Sequence, residues 1–271
     1  GIVNIALEGQ MLIGALFGFT ASAWTQSWVG GLLIGAVAGA LSGFVFTWIV
    51  TRLNANEIIV GLGFNLLVIG SIGYVLKSVM GVSGTLQVPN AVPVPSTSLV
   101  PEGWPQAITS IMNDKNPLFW FAIVLVVLMP LALKRTPIGV HLRATGLSFA
   151  SAEALGIPAR RIRLGAGMAA GALAALGGAQ LSLGQVGLFN VDMVAGRGYI
   201  ALAAIYFGAM IPLPTALACL IFAFFDALQI QLQLENISPS LVSTLPYIMV
   251  IAGLALSKAV IRVRRSTRAF T

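Results

Sequence analysis

Long apolar runs dominate this chain, and its polar residues are concentrated in the segments between them. No charged residue occurs between Glu8 and Arg52, a stretch long enough for two membrane-spanning helices of about 20 residues each. Trp24, Gln26 and Trp28 mark the turn between these two helices, because tryptophan favours the membrane interface. The pattern predicts an all-α fold, a polytopic bundle of about eight transmembrane helices.

The apolar runs and their breaks set the predicted helices, which we letter A to H. Pro212 and Pro214 divide the stretch 198–233 into a short helix F and a longer helix G. The predicted ranges are 7–24 (A), 28–51 (B), 58–76 (C), 118–133 (D), 164–183 (E), 199–210 (F), 214–232 (G) and 244–260 (H). We expect the whole chain, 1–271, to form a single transmembrane domain.

Basic residues predict which side of the membrane each loop faces. The segment 134–163 carries six of them and the C-terminal tail after 260 carries four more, whereas 79–116 has only Lys115. Because basic loops stay in the cytoplasm, 134–163 and the C-terminus are predicted to be inside and 79–116 outside. The external segment is rich in proline, and it either simply links helices C and D or docks an external partner.

Composition supports a membrane protein and argues against other classes. Hydrophobic residues make up 58% of the chain and charged residues 8%, against roughly 25% charged in an average soluble domain. The net charge of +7 does not indicate nucleic-acid binding, because the basic residues lie between apolar runs rather than in one surface stripe. The single cysteine, Cys219, lies in an apolar run and is interpreted as a small packing residue.

Signatures of enzymes and of resident cofactors are missing from the sequence. The only histidine, His141, has no cysteine pair or carboxylate cluster with which to hold a metal. Asp226 is the only aspartate inside a predicted span, and the phosphate-binding pattern G-x-x-x-x-G-K-[ST] does not occur. We therefore predict a protein that is not an enzyme, with no cofactor and no metal.

Small residues recur at helical spacing in two predicted helices. Helix B has glycine at every fourth position, which lets neighbouring backbones approach closely. These glycines are Gly31, Gly35, Gly39 and Gly43, and helix E repeats the pattern with Gly167, Gly171 and Ala175. The starts of helices A and F also read alike, as QMLIGALF against YIALAAIY. With the two starts on opposite sides of the membrane, this similarity indicates either inverted repeats or chance.

Polar residues inside spans are costly and are therefore candidates for a translocation pathway. The candidates are Asn4, Glu8, Gln10, Asn65, Gln180, Arg197 and Asp226. Each has a structural alternative. Glu8 could lie at a water interface or cap a helix through the helix dipole, and Asn65 and Gln180 could bond neighbouring helices. Arg197, between two glycines, could belong to a tight turn or to a gate.

The internal loop 134–163 is predicted to contain a short helix at 149–155. Ser148 is a suitable N-cap, Gly156 a C-terminal stop and Pro158 a break. One side of this helix is expected to present Phe149, Ala152 and Leu155. A two-turn helix on the membrane surface is well suited to a groove in a partner protein.

This loop, HLRATGLSFASAEALGIPARRIR, resembles the coupling loop of ABC importer permeases for branched-chain amino acids, ribose, other simple sugars and nucleosides. The stretches GIVNIALEGQMLIGA, NANEIIVGLGFNLL and GRGYIALAAIYFG are similar to further parts of that family, in the same order. The first of them favours the sugar and nucleoside branch. The family's first helix would precede Gly1, which agrees with a start that lacks methionine.

The resemblance implies a permease subunit in a bacterial plasma membrane. It implies a second permease subunit, two cytoplasmic ATP-binding subunits and an external substrate-binding protein as partners. By position, the coupling residues would be Arg143, Gly146, Ala152, Glu153, Gly156 and Ile157. Glu153 could pair with a basic residue of the ATPase, or with Arg160 or Arg161 beside it. The alternative function is a self-sufficient secondary transporter or channel, although the chain has few of the membrane carboxylates that ion coupling uses.

Overall fold

The structure is a computed structural model that describes residues 1–82, 84–96, 113 and 115–234. Helices account for most of these residues. They are α1 (Leu7–Thr25), α2 (Trp28–Arg52), α3 (Glu57–Ser78), α4 (Pro117–Arg135), α5 (Pro137–Leu147), α6 (Phe149–Ala154), α7 (Ala159–Ala179), the π-helix π1 (Gln180–Val186), α8 (Arg197–Phe207) and α9 (Pro212–Leu234). Two short strands, β1 (Thr85–Leu86) and β2 (Phe189–Asn190), complete the described elements.

Predicted helices A to G all form, and helix H lies outside the described residues. Two internal features differ from the prediction. Helix E begins five residues earlier than expected, at Ala159, and continues into π1. The basic segment after helix D, which was predicted as loop, forms α5, whose start is capped by the Thr136 hydroxyl accepting from the Gly139 N–H. This cap and a proline in the first turn favour a helix here, although the polar composition of the segment indicated a loop.

Five of the described helices are long and apolar enough to cross a membrane. They are Trp28–Arg52, Glu57–Ser78, Pro117–Arg135, the continuous helical stretch Ala159–Val186, and Pro212–Leu232. Helix α1 is 19 residues long but is not in this set, and α8, with 11 residues, spans about 16 Å, roughly half of the hydrocarbon core. The predicted total of eight spans therefore stays a prediction.

Helices α1, α2 and α7 pack against one another through their small residues. A Cβ added to Gly39 would overlap Gly171 and Ala175, and one added to Gly43 would overlap Gly167. The helix-B and helix-E glycines thus face each other, as close backbone approach requires. A Cβ added to Gly35 would lie 3.2–3.4 Å from backbone atoms of Gly14 and Gly18 in α1. The prediction of tight packing at these positions is confirmed.

One end of this helix group is covered by residues 84–94 and by the turn after π1. Strands β1 and β2 pair antiparallel, with Thr85 opposite Asn190 and Leu86 opposite Phe189. The Val94 N–H donates to the Leu183 carbonyl at 3.1 Å. Because Leu86, Val94 and Phe189 are buried in one cluster with α1 and α3 side chains, the first half of the predicted external loop is a packed part of the fold.

The chain divides into two compact units, Gly1–Tyr199 and a second that begins at Ile200. In the second unit, α8 and α9 are joined by a tight turn in which Ala209 and Met210 both have positive φ, 51° and 60°. Phe207 and Phe222 pack edge to face with ring centroids 5.4 Å apart. The expectation that 1–271 forms a single transmembrane domain stays a prediction.

Candidate functional site

The Glu8 carboxylate receives two backbone hydrogen bonds at the start of α8. Its Oε1 accepts from the Gly196 N–H and its Oε2 from the Gly198 N–H, both at 2.8 Å. Glu8 is 8% exposed, so these bonds are almost wholly shielded from water. A carboxylate at this position also interacts favourably with the N-terminal end of the helix dipole. Glu8 therefore caps α8 through hydrogen bonds, and it also lies in the first turn of its own helix, α1, as the helix-dipole alternative expected.

Sequence alone places these two helix starts on opposite sides of the membrane, and this expectation is wrong. Glu8 is the second residue of α1 and Gly198 the second residue of α8, and their atoms are in contact. The alternative that Glu8 lies at a water interface also fails, because the carboxylate is buried. Propensity and loop charge carry no information about contacts between residues 190 positions apart.

Asn65 joins three separate segments next to this contact. Its Oδ1 accepts from the Gly9 N–H at 2.9 Å, and its Nδ2 donates to the Ile5 carbonyl at 2.9 Å and to the Tyr199 hydroxyl at 3.0 Å. The side chain is 1% exposed. It lies about 12 Å along α3 from the start of that helix, well inside the span. The structural alternative for Asn65, hydrogen bonding between segments, is the one that the structure supports.

Asn4 shapes the extended segment that leads into α1. Its Oδ1 accepts from the Ala6 N–H at 3.1 Å and its Nδ2 donates to the Gln10 Oε1 at 2.8 Å. Gln10 is fully buried, and its Nε2 has no hydrogen-bond partner among the described residues. Asn4, Glu8, Gln10 and Asn65 therefore form one polar group around the start of α1.

Arg197 is the first residue of α8 and follows two residues with positive φ, Ala195 (49°) and Gly196 (80°). Its guanidinium Nη1 donates to the Met193 carbonyl at 3.2 Å, four residues earlier. The predicted tight turn is therefore present, and the arginine side chain folds back onto it.

Gln180 lies apart from this polar group, at the first residue of π1. Its Oε1 is buried and has no hydrogen-bond partner in the described part of the chain. A Cβ added to Gly184 would lie 2.6 Å from this oxygen and 2.5 Å from the Asn116 Nδ2, which itself donates to the Gly184 carbonyl at 3.0 Å. A π-helical turn shifts side chains out of α-helical register and is frequent at functional sites.

The predicted short helix in the internal loop forms as α6, with both of its predicted ends. Ser148 is the N-cap, its hydroxyl accepting from the Ser151 N–H at 3.3 Å. At the other end the Gly156 N–H donates to the Glu153 carbonyl and the Ile157 N–H to the Ala152 carbonyl, both at 3.0 Å. This pair of bonds is a complete Schellman motif. Gly156 has φ of 79°, as its role as a stop required.

The predicted contact face of α6 is wrong in one respect. Ala152 is 2% exposed and packs within the chain, so it does not share an outward face with Leu155, which is 79% exposed. Glu153 pairs with Arg160 at 3.7 Å, which agrees with one of the two predicted alternatives. Arg143 and Gly146, on α5, are exposed.

Several residues around these sites had no signal in the sequence. Tyr199, Gly196 and Asn116 act through hydrogen bonds to residues more than 60 positions away, and only the fold brings them together. Among the described residues, no group of three or more His, Cys, Asp or Glu side chains could hold a metal ion.

Comparison with known proteins decides the family. Residues 1–254 match the family described as the branched-chain amino acid transport system permease component. The chain belongs to this family. No solved structure matches it significantly.

Curated relatives of this permease cover most of its length. The nucleoside ABC transporter permease NupC of Lactococcus lactis is 31% identical over 270 residues, covering 94% of this chain and 83% of the relative. The putative glucose ABC transporter permease TsgC13 of Haloferax volcanii is 28% identical, with 97% and 84% covered. The guanosine ABC transporter permease NupQ of Bacillus subtilis is 29% identical, with 85% and 74% covered.

The permease is thus the membrane subunit of an ABC importer, and a transporter component rather than a member of an enzyme family. Its apolar helices and its relatives agree in making it a multi-pass membrane protein. This confirms the family and the function that the resemblance implied.

Proposed function

We propose that the permease carries a nucleoside or a simple sugar across the membrane, driven by two ATP-binding subunits that contact the segment 137–158. The solute class is supported by the names of its relatives, which are permeases for nucleosides, guanosine and glucose. Those solutes share hydroxyl groups and a polar surface, which a pathway with uncharged hydrogen-bonding side chains suits.

Gln180 is proposed as a residue that touches the solute. Its carbonyl oxygen is a hydrogen-bond acceptor without a partner among the described residues, and a sugar or ribose hydroxyl is a matching donor. Asn4, Glu8, Asn65 and Arg197 are proposed to shape the pathway instead. Their polar atoms are engaged in bonds that hold the starts of α1 and α8 and the middle of α3 together.

The observation that carries the coupling proposal is the exposed apolar surface around α6. Leu147 is 89% exposed and Leu155 79% exposed, one on each side of this capped two-turn helix. Large apolar side chains exposed on a loop predicted to face the cytoplasm are typical of a protein-binding surface. Glu153 and Gly156 lie on this surface, and Arg143 and Gly146 extend it onto α5. The buried Ala152 and the partly buried Ile157 support it from within.

Family membership supports the rest of the assembly. We propose a pair of permease subunits, two cytoplasmic ATP-binding subunits and an external substrate-binding protein, with the C-terminus in the cytoplasm. The permease pair forms the pathway, and the external protein delivers the solute to the side that carries residues 79–96.

The coupling proposal is tested by Gly156→Val. Nothing lies within 4 Å of a Cβ added at Gly156, so the substitution causes no clash, but a β-branched residue does not tolerate φ of 79°. The variant should insert in the membrane and still dock the external binding protein, yet lose association with the ATPase and lose uptake.

Two matched controls separate backbone strain from side-chain size. Gly156→Asn should retain most activity, because asparagine tolerates the left-handed region. Gly165→Val adds the same side chain within α7, where the site is open and φ is not positive. The measurement is substrate-stimulated ATP turnover of the complex in liposomes, and normal turnover in Gly156→Val would show that 148–157 is only a linker.

A further inference from the structure

The side-chain amides of Gln180 and Asn116 converge on Gly184, about 30 Å along the helical axis from the start of α7. A Cβ added to Gly184 would lie 2.6 Å from the Gln180 Oε1 and 2.5 Å from the Asn116 Nδ2, so both amides lie over the same glycine. Asn116 is the N-cap of α4, yet its side chain makes no capping bond and donates to the Gly184 carbonyl at 3.0 Å instead. The start of α4 and the π-helix π1 therefore share one polar site.

Two buried polar atoms at this site have no hydrogen-bond partner among the described residues. The Gln180 Oε1 is an acceptor, and the Trp120 Nε1 is a donor. Trp120 follows Asn116 by four residues on α4, and residues at this spacing are neighbours on one side of a helix. Buried polar groups are normally satisfied, so an unpaired acceptor and an unpaired donor beside one amide indicate a ligand that bonds to both.

The chemistry of the two atoms selects the kind of ligand. A hydroxyl group matches them, because it donates one hydrogen bond and accepts others. An ammonium group has no acceptor for the indole N–H, and a carboxylate has no donor for the Gln180 carbonyl. Gln180, Gly184 and Trp120 are each only partly buried, so the site is accessible from one side. It therefore favours a neutral solute with hydroxyl groups over an ion.

We propose that Gln180 and Trp120 together bind one hydroxyl group of the transported solute and make the transporter selective for it. This inference rests on the proposed function and adds Trp120 to it as a specificity-determining residue. Asn116 is a positioning residue, because its amide holds the start of α4 against π1. A site built to bond a hydroxyl disfavours an analogue that lacks it, since the buried donor and acceptor are then left unpaired.

The test measures uptake by the complete transporter in liposomes. The solutes are guanosine and analogues that each lack one ribose hydroxyl, and glucose with its monodeoxy analogues serves in the same way if guanosine is not carried. Preference is the ratio of kcat/KM for the parent solute to that for each analogue. Gln180→Met and Trp120→Phe should each lower this preference about tenfold for one and the same hydroxyl, because each removes one of its two bonds.

Two matched controls replace the same residue types elsewhere. Gln185→Met changes an exposed residue of the same π-helix, and Trp24→Phe changes a tryptophan that is 83% exposed at the end of α1. Both should keep the preference within about twofold of the parent, as is usual for surface substitutions. The external binding protein is the same in every assay, so its own selectivity cancels when a variant is compared with the parent.

Retention of the full preference in either Gln180→Met or Trp120→Phe overturns the inference. An equal loss of uptake for the parent solute and every analogue overturns it as well, because the two groups would then act only in folding or bind only an ordered water. In both cases uptake by the parent protein leaves the proposed function standing. A parent protein that carries neither guanosine nor glucose contradicts the proposed function, and the inference with it.

Trp120→Phe keeps the test decisive if Gln180→Met does not fold. It retains an aromatic ring at this position of α4 and removes the indole N–H, so its effect on preference reports the hydrogen bond.

Discussion

Glu8 and Gly198 are in direct contact: the Glu8 Oε2 accepts from the Gly198 N–H at 2.8 Å, and a Cβ on Gly198 would lie 2.6 Å from the Glu8 Cα. The hydrogen bond needs the carboxylate, and the close approach needs glycine. Because Glu8 opens α1 and Gly198 opens α8, this contact sets how the two helix starts meet. Both residues therefore position the starts of these two helices.

Gly198→Ala should destabilise the permease strongly. The added methyl group would clash with the Glu8 backbone and carboxylate, which forces the two helix starts apart, and we expect a loss of about 1–3 kcal/mol. Thermal unfolding in detergent measures it. The control is Gly63→Ala in α3, where nothing lies within 4 Å of the added Cβ. Equal melting temperatures for the two variants would show that α1 and α8 do not approach closely.

Glu8→Ala should leave the Gly196 and Gly198 amides without their acceptor. We expect a loss of about 2–3 kcal/mol of stability, because hydrogen bonds to a charged group contribute more than neutral ones. Glu8→Gln keeps one carbonyl acceptor and should lose less. Hydrogen exchange at residues 196–198 reports the contact directly. We expect faster exchange and reduced uptake in Glu8→Ala. Unchanged protection would contradict the hydrogen bonds between Glu8 and the Gly196 and Gly198 amides.

Asn65→Leu should be far more harmful than Tyr199→Phe. The leucine removes all three hydrogen bonds of the buried amide and leaves the Gly9 N–H and Ile5 carbonyl unpaired, at a cost of about 2–4 kcal/mol. The phenylalanine removes only the bond between the Asn65 amide and the half-exposed Tyr199 hydroxyl, about 1 kcal/mol. Denaturation of the purified proteins gives both values. A Tyr199→Phe loss as large as that of Asn65→Leu would mean that the hydroxyl is the essential group.

Gly39→Leu should prevent α2 from packing on α7. Its side chain would overlap Gly171 and Ala175, where small residues now let the backbones meet. We expect a severe loss of folded yield in detergent. Gly70→Leu is the matched control, because that glycine of α3 has nothing within 4 Å of its hypothetical Cβ. If Gly39→Leu folds as well as Gly70→Leu, this face of α2 does not pack on α7.

Thiol labelling tests the predicted sides of the membrane. After Cys219, which is exposed, is replaced by serine, Ser96→Cys should react with an impermeant reagent on intact cells and Ser151→Cys should react only after lysis. Both positions are exposed in the structure, so accessibility does not limit either reaction. The reverse pattern would invert the topology and place the α6 surface outside the cell.

Local features of the fold could be predicted from the sequence. The Ser148 cap, the Gly156 stop and the glycine spacing of helices B and E all depend on residues a few positions apart, where short-range sterics and hydrogen bonding act. The apolar runs likewise determined that most of the chain is helical and belongs in a membrane. The resemblance of the internal loop added the transporter family, which spacing alone does not specify.

The tertiary structure decided which of these residues meet. The glycine spacing predicts close packing but does not name Gly171 as the partner of Gly39. The composition of the internal loop does not reveal that Ala152 is buried while Leu155 is exposed. Glu8 and Asn65 were candidates because polar groups are costly inside a membrane. Their partners, Gly198 and Tyr199, lie 190 and 134 positions away, and such long-range pairs are fixed only when the helices pack.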